Sequence, residues 1–358
     1  MRRLTKLAAA TAVVALALTG CAKKNTDAGS SSGGGGASAG SKAGLCPSTG
    51  DGPKIGLAYD IGGRGDKSFN DLAAAGTKKA ATSLDATCKE SEAAPDEPET
   101  AKEERLRTLA DAGYDPIVAV GFVYTPMVTK VAKEYPKVKF AIVDGASEGA
   151  NVTNLSFAPE QGSFLVGVAA GLKTKTNTVG FVGGVKGPVI DPFAAGFQAG
   201  VKAVNPKAKV EMKWLSDQAD QKAFANPPGG KTAATALYDA GADVVFHASG
   251  LSGAGVFEAA AAEKKLAIGV DSDQYLTAPA AQKPYILTSA LKRVDVSVSD
   301  FITDFSKKQT KAGFDVYDLK RDGVGYSTSN PKIKDIQAKI DGYKAKIASG
   351  AIKVPTKL

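Results

Sequence analysis

The sequence predicts an α/β protein in which two doubly wound lobes enclose a ligand cleft. Short apolar runs typical of strands alternate with longer runs in which Ala, Leu and Lys recur at helical spacing. This alternation indicates parallel sheets that carry helices on both faces. The series of strands restarts near Gly162, and about 300 residues follow residue 50, which is enough for two such units.

Each half of this series contains about five strands. The predicted strands are KIGLAY (54–59), ATCKES (86–91), PIVAV (116–120), FAIVD (140–144), NVTNLSF (151–157), TVGFVGG (178–184), KVEMKWL (209–215), ADVVFHA (242–248), LAIGVD (266–271) and YILTSAL (285–291). Residues 70–84 and 99–113 predict amphipathic helices, and we interpret the charges from Lys102 to Arg107 as a solvated helix face. Beyond about residue 315 the sequence predicts a Lys-rich terminal helix packed on one lobe.

The N-terminal residues predict targeting rather than fold. Residues 1–20 combine a basic start with an apolar run too short to span a bilayer, which is typical of a signal peptide. The run ends in LTGC, which looks like a bacterial lipobox, so we expect Cys21 to carry a lipid; a secretory signal with a chance cysteine is the alternative. The Gly/Ser-rich residues 21–49 would then form a flexible tether to the extracytoplasmic face of the cell membrane.

The remaining cysteines and the net charge narrow the function further. Cys46 precedes the first strand and Cys88 lies in the second, and an exported protein can form a disulfide between them. Two free buried thiols are the alternative. The formal charge is +8, but no basic cluster is interleaved with aromatic residues, so we expect no nucleic-acid partner.

The residues that directly follow the strands are the best candidates for a binding site. Ligands of open parallel sheets bind beyond the carboxyl ends of the strands. Those positions include Asp60 and its loop DIGGRGDKSFN, with Phe69 and Asn70, and then Phe122, Asp144, Trp214, Phe246, Gly250, Asp271 and Lys292. Such a set fits a flat polar ligand, because rings can stack on its faces and carboxylates can accept bonds from its hydroxyl or N–H groups.

Other kinds of site lack the residues they need. The loop DIGGRGDKSFN has the wrong glycine spacing for a phosphate cradle, and its two carboxylates would repel a phosphate. His247 is the only histidine, and the sequence has no GxSxG motif. These facts argue against a Ser-His-Asp hydrolase. The triplet from Asp271 to Asp273 is weak as a metal motif, and we interpret it as one inward and one capping Asp. We therefore expect no enzyme, catalytic residue, metal or cofactor.

Some of these candidates also have a purely structural explanation. Core packing, helix capping or a solvated position would account for Phe69, Asn70, Trp214 and Lys292. A function is favoured for Asp144 and Asp271, because both end buried strands, where an unpaired charge is costly.

At this point the residues resemble the BMP family, the basic membrane lipoproteins that include purine nucleoside receptor lipoproteins. The resemblance runs in order from about residue 53 to 300 through DIGGRGDKSFND, VGFVY, KFAIVDG, NVTNLSFAPEQGSFLVGVAAGL, VGFVGG, FAAGFQAGVKAVNP, GADVVFHASGLSGAGVFEAA, IGVDSDQ and LTSALKRVDV. It implies a type I periplasmic-binding-protein fold and the substrate-binding lipoprotein of an ABC importer for a nucleoside, expected to be a purine nucleoside.

The resemblance also implies roles for individual residues. Asp60 and Asn70 look like the pair that contacts the base, with Phe69 stacked on it. The sugar hydroxyls are expected at Asp144, Asp271 and Lys292. A second stacking ring is expected at Phe246, with Trp214 as its competitor.

The resemblance further implies which residues form each lobe and which partners the protein binds. The N-terminal lobe is expected at 50–157 plus about 292–318, and the C-terminal lobe at 158–288 plus about 319–358. The expected partners of this monomer are a nucleoside, ABC permease and ATPase subunits, and the membrane through the N-terminal lipid. The alternative functions are a receptor of the same fold for a sugar or other small ligand, a DxD-type glycosyltransferase, and an adhesin or structural antigen.

Overall fold

The computed structural model describes residues 44–94, 97–218 and 220–358. The predicted signal peptide, the lipobox with Cys21 and nearly all of the tether lie outside the described residues. The strands are β1 (Lys54–Ala58), β2 (Thr87–Ser91), β3 (Ile117–Val120), β4 (Phe140–Val143), β5 (Val152–Phe157), β6 (Thr178–Val185), β7 (Lys209–Ser216), β8 (Val244–Ala248), β9 (Leu266–Asp271), β10 (Ile286–Lys292), β11 (Gly313–Tyr317) and β12 (Val324–Tyr326).

Helices fill most of the connections between these strands. They are α1 (Phe69–Leu84), α2 (Glu99–Asp111), α3 (Thr125–Glu134), α4 (Pro159–Lys173), α5 (Asp191–Val204), α6 (Pro227–Asp239), α7 (Gly253–Ala262), α8 (Gln274–Thr277), α9 (Val294–Ser306) and α10 (Lys334–Ala348). Their starts follow ordinary capping chemistry. At α6, for example, the Asn226 side chain accepts a bond from the Gly229 N–H at 2.9 Å, and Pro227 takes the first helical position.

The strands form two six-stranded sheets with the same order. The first sheet runs β11-β5-β4-β3-β1-β2, and the second runs β12-β10-β9-β8-β6-β7. All the pairings are parallel except that of β10 with β12. Strands β3 and β4 are buried along their whole length, as expected for a parallel sheet covered on both faces. The predicted α/β class with two doubly wound lobes is therefore confirmed.

Each of the ten predicted strands is present to within a few residues, whereas β11 and β12 were not predicted. Both are short and lie at the edge of a sheet, so neither has the long apolar run of a central strand. The chain passes from the first sheet to the second after β5, returns to the first sheet with β11, and ends beside the second.

Helix α9 packs against α1 of the first lobe, although it follows a strand of the second sheet. Gly76 permits this close packing, because a Cβ at that position would lie 2.4 Å from the Asp295 carbonyl oxygen. A disulfide joins Cys46 to Cys88, with 5.5 Å between the Cα atoms, and so ties the segment before β1 to the edge strand β2. No helix formed by the described residues is both long enough and apolar enough to cross a membrane.

Candidate functional site

The loop between β1 and α1 is held in shape by the carboxylate of Asp66. This carboxylate accepts bonds from the backbone N–H groups of Ser68 at 2.9 Å, Asn70 at 2.8 Å and Asp71 at 3.1 Å. It thereby caps α1, a role that sequence reasoning had considered for Asn70. The side chain of Asn70 instead donates to Asp66 at 3.1 Å and accepts from the Asp60 N–H at 3.3 Å.

Asp60 follows Tyr59 just beyond the end of β1 and is 8% exposed. Burial raises the pKa of Asp60 to about 7, although a bond from the Ile61 N–H and the charge of Lys102 act in the opposite direction. Gly121 allows the carboxylate its position, because a Cβ there would lie 2.3 Å from Asp60 Oδ2. Near neutral pH this side chain is therefore poised between accepting and donating a hydrogen bond.

Asp144 and Asp271 occupy corresponding positions in the two lobes. Asp144 follows β4 and Asp271 ends β9, and these strands hold the same place in their sheets. Both residues have left-handed backbones, with φ of 60° and 61°, a conformation that Asp tolerates better than most residues. Their carboxylates meet at Lys292, which bonds directly to Asp144 and lies 3.7 Å from Asp271.

Lys292 is buried, at 4% exposure, among these carboxylates and three rings. Its Nζ lies 4.6 Å from the ring centre of Phe69, 5.4 Å from that of Phe157 and 5.6 Å from that of Phe193. Burial alone would lower the pKa of Lys292, but the two carboxylates outweigh burial and raise it. Lys292 therefore stays charged, as the counter-ion of a buried acidic pair.

The two lobes touch beside this cluster. The Ser68 hydroxyl of the first lobe donates to Asp271 Oδ2 at 2.7 Å, and the Ser272 hydroxyl of the second donates to the Lys67 carbonyl at 2.7 Å. Phe122 and Phe224 also meet edge to face across the cleft, with 6.3 Å between ring centres. The structure is therefore a closed arrangement of the lobes.

The closed lobes enclose a cavity of about 70 Å³. Eight of the predicted ligand-binding residues line it, namely Asp60, Phe69, Asn70, Phe122, Asp144, Gly250, Asp271 and Lys292. Ligand pockets usually hold at least ~300 Å³. The lobes must therefore move apart to admit a drug-sized ligand.

Two of the predicted ligand residues, Phe246 and Trp214, do not line the cavity. Phe246 is fully buried in the core of the second lobe, where its ring packs on Phe181 and Phe197 at 5.5 and 5.2 Å between centres. Successive side chains of strand β8 point to opposite faces of the sheet. The Phe246 side chain points to the face covered by the core and not towards the cleft at the end of the strand. Trp214 lies on the edge strand β7 and packs edge to face on Phe181 at 5.6 Å.

Among the charged and aromatic residues that line the cavity, sequence reasoning missed three: Asp66, Phe193 and Phe224. Asp66 lies in the loop DIGGRGDKSFN, which was already a candidate for the site, and Phe193 lies in the first turn of α5. Phe224 lies in the insertion-like segment QADQKAFANPPGG, whose composition carries no periodic signal. An aromatic residue inside a polar insertion was the available clue.

The charged run on α2 is not the solvated face that its composition predicted. Lys102 is only 4% exposed and lies 3.9 Å from Glu97, which also pairs with Arg105. Arg105 donates to the Tyr124 hydroxyl at 2.6 Å, and that hydroxyl donates to the Tyr59 carbonyl at 3.0 Å. This network braces the end of β1 directly before Asp60.

The remaining polar groups of this region are used structurally. His247 is buried, lies 3.1 Å from Gln274 Oε1, and has a pKa that burial lowers to about 4. Asp271 faces the cavity while Asp273 accepts a bond from Ser329, so the two carboxylates of the DxD triplet do not converge. Within the described part of the chain, no group of three or more His, Cys, Asp or Glu side chains is placed to hold a metal ion.

Comparison with protein families gives one match over nearly the whole folded body. Residues 53–357 match the Bmp family, described as "ABC transporter substrate-binding protein PnrA-like". A solved structure of a solute-binding protein of an ABC transporter system from Aeropyrum pernix has a TM-score of 0.73 and 28% identity. The match covers 85% of this chain and 93% of that one. The fold is therefore the two-lobed type I fold of solute-binding proteins.

Named relatives match over similar lengths. The "CD4+ T-cell-stimulating antigen" of Listeria monocytogenes is 39% identical over 88% of this chain and 94% of the relative. The "Basic membrane protein A" of Borreliella burgdorferi is 32% identical over 85% and 88%. The "ABC transporter nucleoside-binding protein BmpA" of Lactococcus lactis is 36% identical over 68% and 72%.

Proposed function

The chain belongs to the Bmp family of ABC transporter substrate-binding proteins, and from this premise we propose that it binds a nucleoside between its two lobes. One observation carries the proposal. Two carboxylates, the buried Asp271 and the partly buried Asp144, share Lys292 beside a cavity flanked by aromatic rings. This combination suits a ligand that joins a polar diol to a flat apolar ring system. The relative in Lactococcus lactis that is named for nucleoside binding gives further support.

The base would lie against the first lobe. Phe69 offers one aromatic face, while Asp60 and Asn70 offer hydrogen-bonding groups for the edge of the base. Phe224 replaces Phe246 as the proposed second ring, because it reaches the cavity from the opposite lobe. Purines, which have the larger ring area, would gain most from two such rings.

The ribose would lie between Asp144 and Asp271. A carboxylate can accept bonds from both hydroxyls of a vicinal diol, and hydrogen bonds to charged groups contribute roughly 1.5–3 kcal/mol each. Lys292 would keep the site near neutrality and donate to a ring or hydroxyl oxygen. A base without its sugar would leave the carboxylates without these partners and should bind far more weakly.

Delivery to a permease would follow from closure. A ligand that touches both lobes binds the closed arrangement better than the open one, so it shifts the population towards closure. The closed form would dock on an ABC permease that works with its ATPase subunits. A lipid on Cys21 would hold this monomer on the extracytoplasmic face of the cell membrane.

Calorimetric titration of the purified full chain tests the proposal. The protein is first freed of bound ligand by unfolding and refolding, and then titrated with adenosine, guanosine, inosine, uridine, cytidine, adenine and ribose in the presence of EDTA. We expect one-to-one binding of a nucleoside, at least about 100-fold tighter than binding of base or ribose alone. Tight binding of ribose alone would indicate a sugar receptor instead, and silence from a folded protein would refute both.

Two variants make the titration specific to the site. Asp144→Asn should weaken nucleoside binding by about tenfold or more, because it removes a charged acceptor of the diol. Asp243→Asn is the matched control, since Asp243 makes its bonds with Thr174, Lys175 and Thr176, outside the residues that line the cavity. Equal losses in both variants would mean that Asp144 has no special role.

A further inference from the structure

A groove of about 640 Å³ lies next to the cavity, where the chain first crosses between the lobes. We call it the side groove; its floor includes residues 156–160, and Val316 and Thr356 line its outer part. Phe122, Asp144, Val189 and Phe193 line both the cavity and the side groove. The two spaces therefore meet at these four side chains, on the side of the cavity where Asp144 lies.

The lining of the side groove is apolar and acidic. Phe157, Pro159 and Pro192 form much of its wall, and Glu160 adds a carboxylate to that of Asp144. Among its described lining residues none is a lysine or an arginine. No cation in the described lining offsets Glu160, and Lys292 is already engaged by Asp144, so the groove offers a phosphate group no cation to pair with. An uncharged chain could instead bury apolar surface against the proline and phenylalanine rings.

We infer that the side groove receives an uncharged substituent on the 5′ carbon of the bound nucleoside, such as a thioether, and rejects a 5′-phosphate. The inference rests on the proposed function. With the base at Asp60 and the 2′ and 3′ hydroxyls at the two carboxylates, the 5′ carbon is the sugar position left to point past Asp144. The substrate class would then be nucleosides together with their 5′-thioether derivatives.

A groove-filling variant tests the inference. Ala146 lines the side groove but not the cavity, and it is exposed, so Ala146→Trp adds bulk without disturbing a core. Ala150→Trp is the matched control, because Ala150 is exposed in the same loop region but does not line the groove. Each variant of the full chain is titrated with adenosine, 5′-deoxy-5′-(methylthio)adenosine, the 5′-butylthio analogue and adenosine 5′-monophosphate. If another base binds more tightly, its corresponding set is used.

In the unmodified protein we expect the thioethers to bind within about threefold of the parent nucleoside and the monophosphate at least about 100-fold more weakly. Ala146→Trp should weaken the butylthio analogue by about tenfold or more and leave the parent unchanged, while Ala150→Trp should change neither.

Other outcomes overturn the inference in distinguishable ways. If the parent binds and the thioethers do not, or if Ala146→Trp weakens both ligands equally, the side groove is not a subsite and the proposed function stands. If no nucleoside binds at all, the proposed function fails and this inference fails with it.

Discussion

The two lobes share one strand order but bring different chemistry to the cleft. Their strands follow one another in the same order across each sheet, and Asp144 and Asp271 mark the same position in the two sheets. Beyond that pair, the first lobe contributes the polar side chains Asp60, Asp66 and Asn70 together with Ile61, Phe69 and Phe122. The second lobe contributes mainly apolar ones, namely Val189, Ile190, Phe193, Phe224, Ala248, Leu251 and Val270.

This difference indicates a division of roles between the lobes. The polar groups of the first lobe are fixed by hydrogen bonds within the lobe, as Asp66 fixes Asn70, so they can select a ligand before closure. Apart from Asp271 and Lys292, the cavity-lining side chains of the second lobe have no such directional groups and would chiefly exclude water once the cleft closes. Substitutions in the first lobe should therefore change selectivity, and those in the second should change the rate of release.

The largest effect on stability is expected at Lys292, where the two lobes meet. Lys292→Met would leave the carboxylates of Asp144 and Asp271 buried without a counter-ion, and breaking a buried pair in this way costs roughly 3–5 kcal/mol. We expect the free energy of unfolding, measured by urea denaturation at pH 7, to fall by that amount. The loss should shrink towards pH 5, because Asp271, whose pKa is already raised by burial, would then take up a proton.

A second substitution separates lost charge balance from lost packing. In the double variant Lys292→Met with Asp144→Asn, one of the stranded charges is gone, so stability should recover by at least about 1 kcal/mol. No recovery would mean that the lysine acts through its packing on Phe69, Phe157 and Phe193 rather than through its charge.

The next effect concerns Asp60 in the polar wall. Its pKa in the folded protein, about 7, lies above the ordinary value of 3.8 for an unfolded chain. Between these values the folded state binds the extra proton, so Asp60 makes the unligated protein less stable as pH rises from about 4 to 7. In Asp60→Asn that contribution disappears.

Urea denaturation at half-unit steps from pH 4 to 8 would measure this contribution. The difference in free energy of unfolding between Asp60→Asn and the unmodified protein should grow across the window, in favour of the variant, by up to about 4 kcal/mol. His247 titrates in the same range, with its pKa lowered to about 4, but it is common to both proteins and cancels from the difference. A difference that is constant with pH would show that Asp60 is ionised throughout.

The sequence predicted the polar wall better than the apolar one, for a physical reason. A carboxylate at the end of a buried strand is costly unless it has a partner, so Asp60, Asp144 and Asp271 stood out in the sequence itself. A phenylalanine has no such signature, since the core and the ligand wall favour it equally. Phe246 was therefore expected in the site although it lies in the core, and Phe224 was overlooked.

Edge strands and buried charged side chains on helices were also poorly predicted from the sequence. Strand β11 alternates partly buried and exposed residues and pairs with β5, from Gly313 opposite Thr153 to Tyr317 opposite Phe157. Because its partner is so distant along the chain, local pattern did not reveal it. Likewise, the charged neighbours Glu103 and Glu104 favoured the prediction of a solvated Lys102. Its burial depends on Glu97, which reaches it from the segment before α2.

A smaller effect is expected from the apolar wall. Phe224→Ala should weaken nucleoside binding by about tenfold, mainly through faster dissociation, because it removes a ring that meets the ligand only after closure. Trp214→Phe is the matched control, since Trp214 packs on Phe181 away from the cavity and should leave binding unchanged. Stopped-flow dissociation rates would decide between them, and a loss in Trp214→Phe alone would restore Trp214 as the second stacking ring.

The smallest effect tests the contact that joins the two walls. Ser68 is fully buried and donates to Asp271 across the cleft, whereas Ser272 makes its interlobe bond to Lys67 at a more exposed position. Ser68→Ala removes a bond to a carboxylate, which should favour the open form and weaken nucleoside binding by about three- to tenfold. Ser272→Ala should change it less. Small-angle scattering of the unligated variants would show a larger radius of gyration for Ser68→Ala than for Ser272→Ala. Equal radii with unchanged affinity would mean that the ligand alone, and not this pair of serines, determines whether the two lobes close.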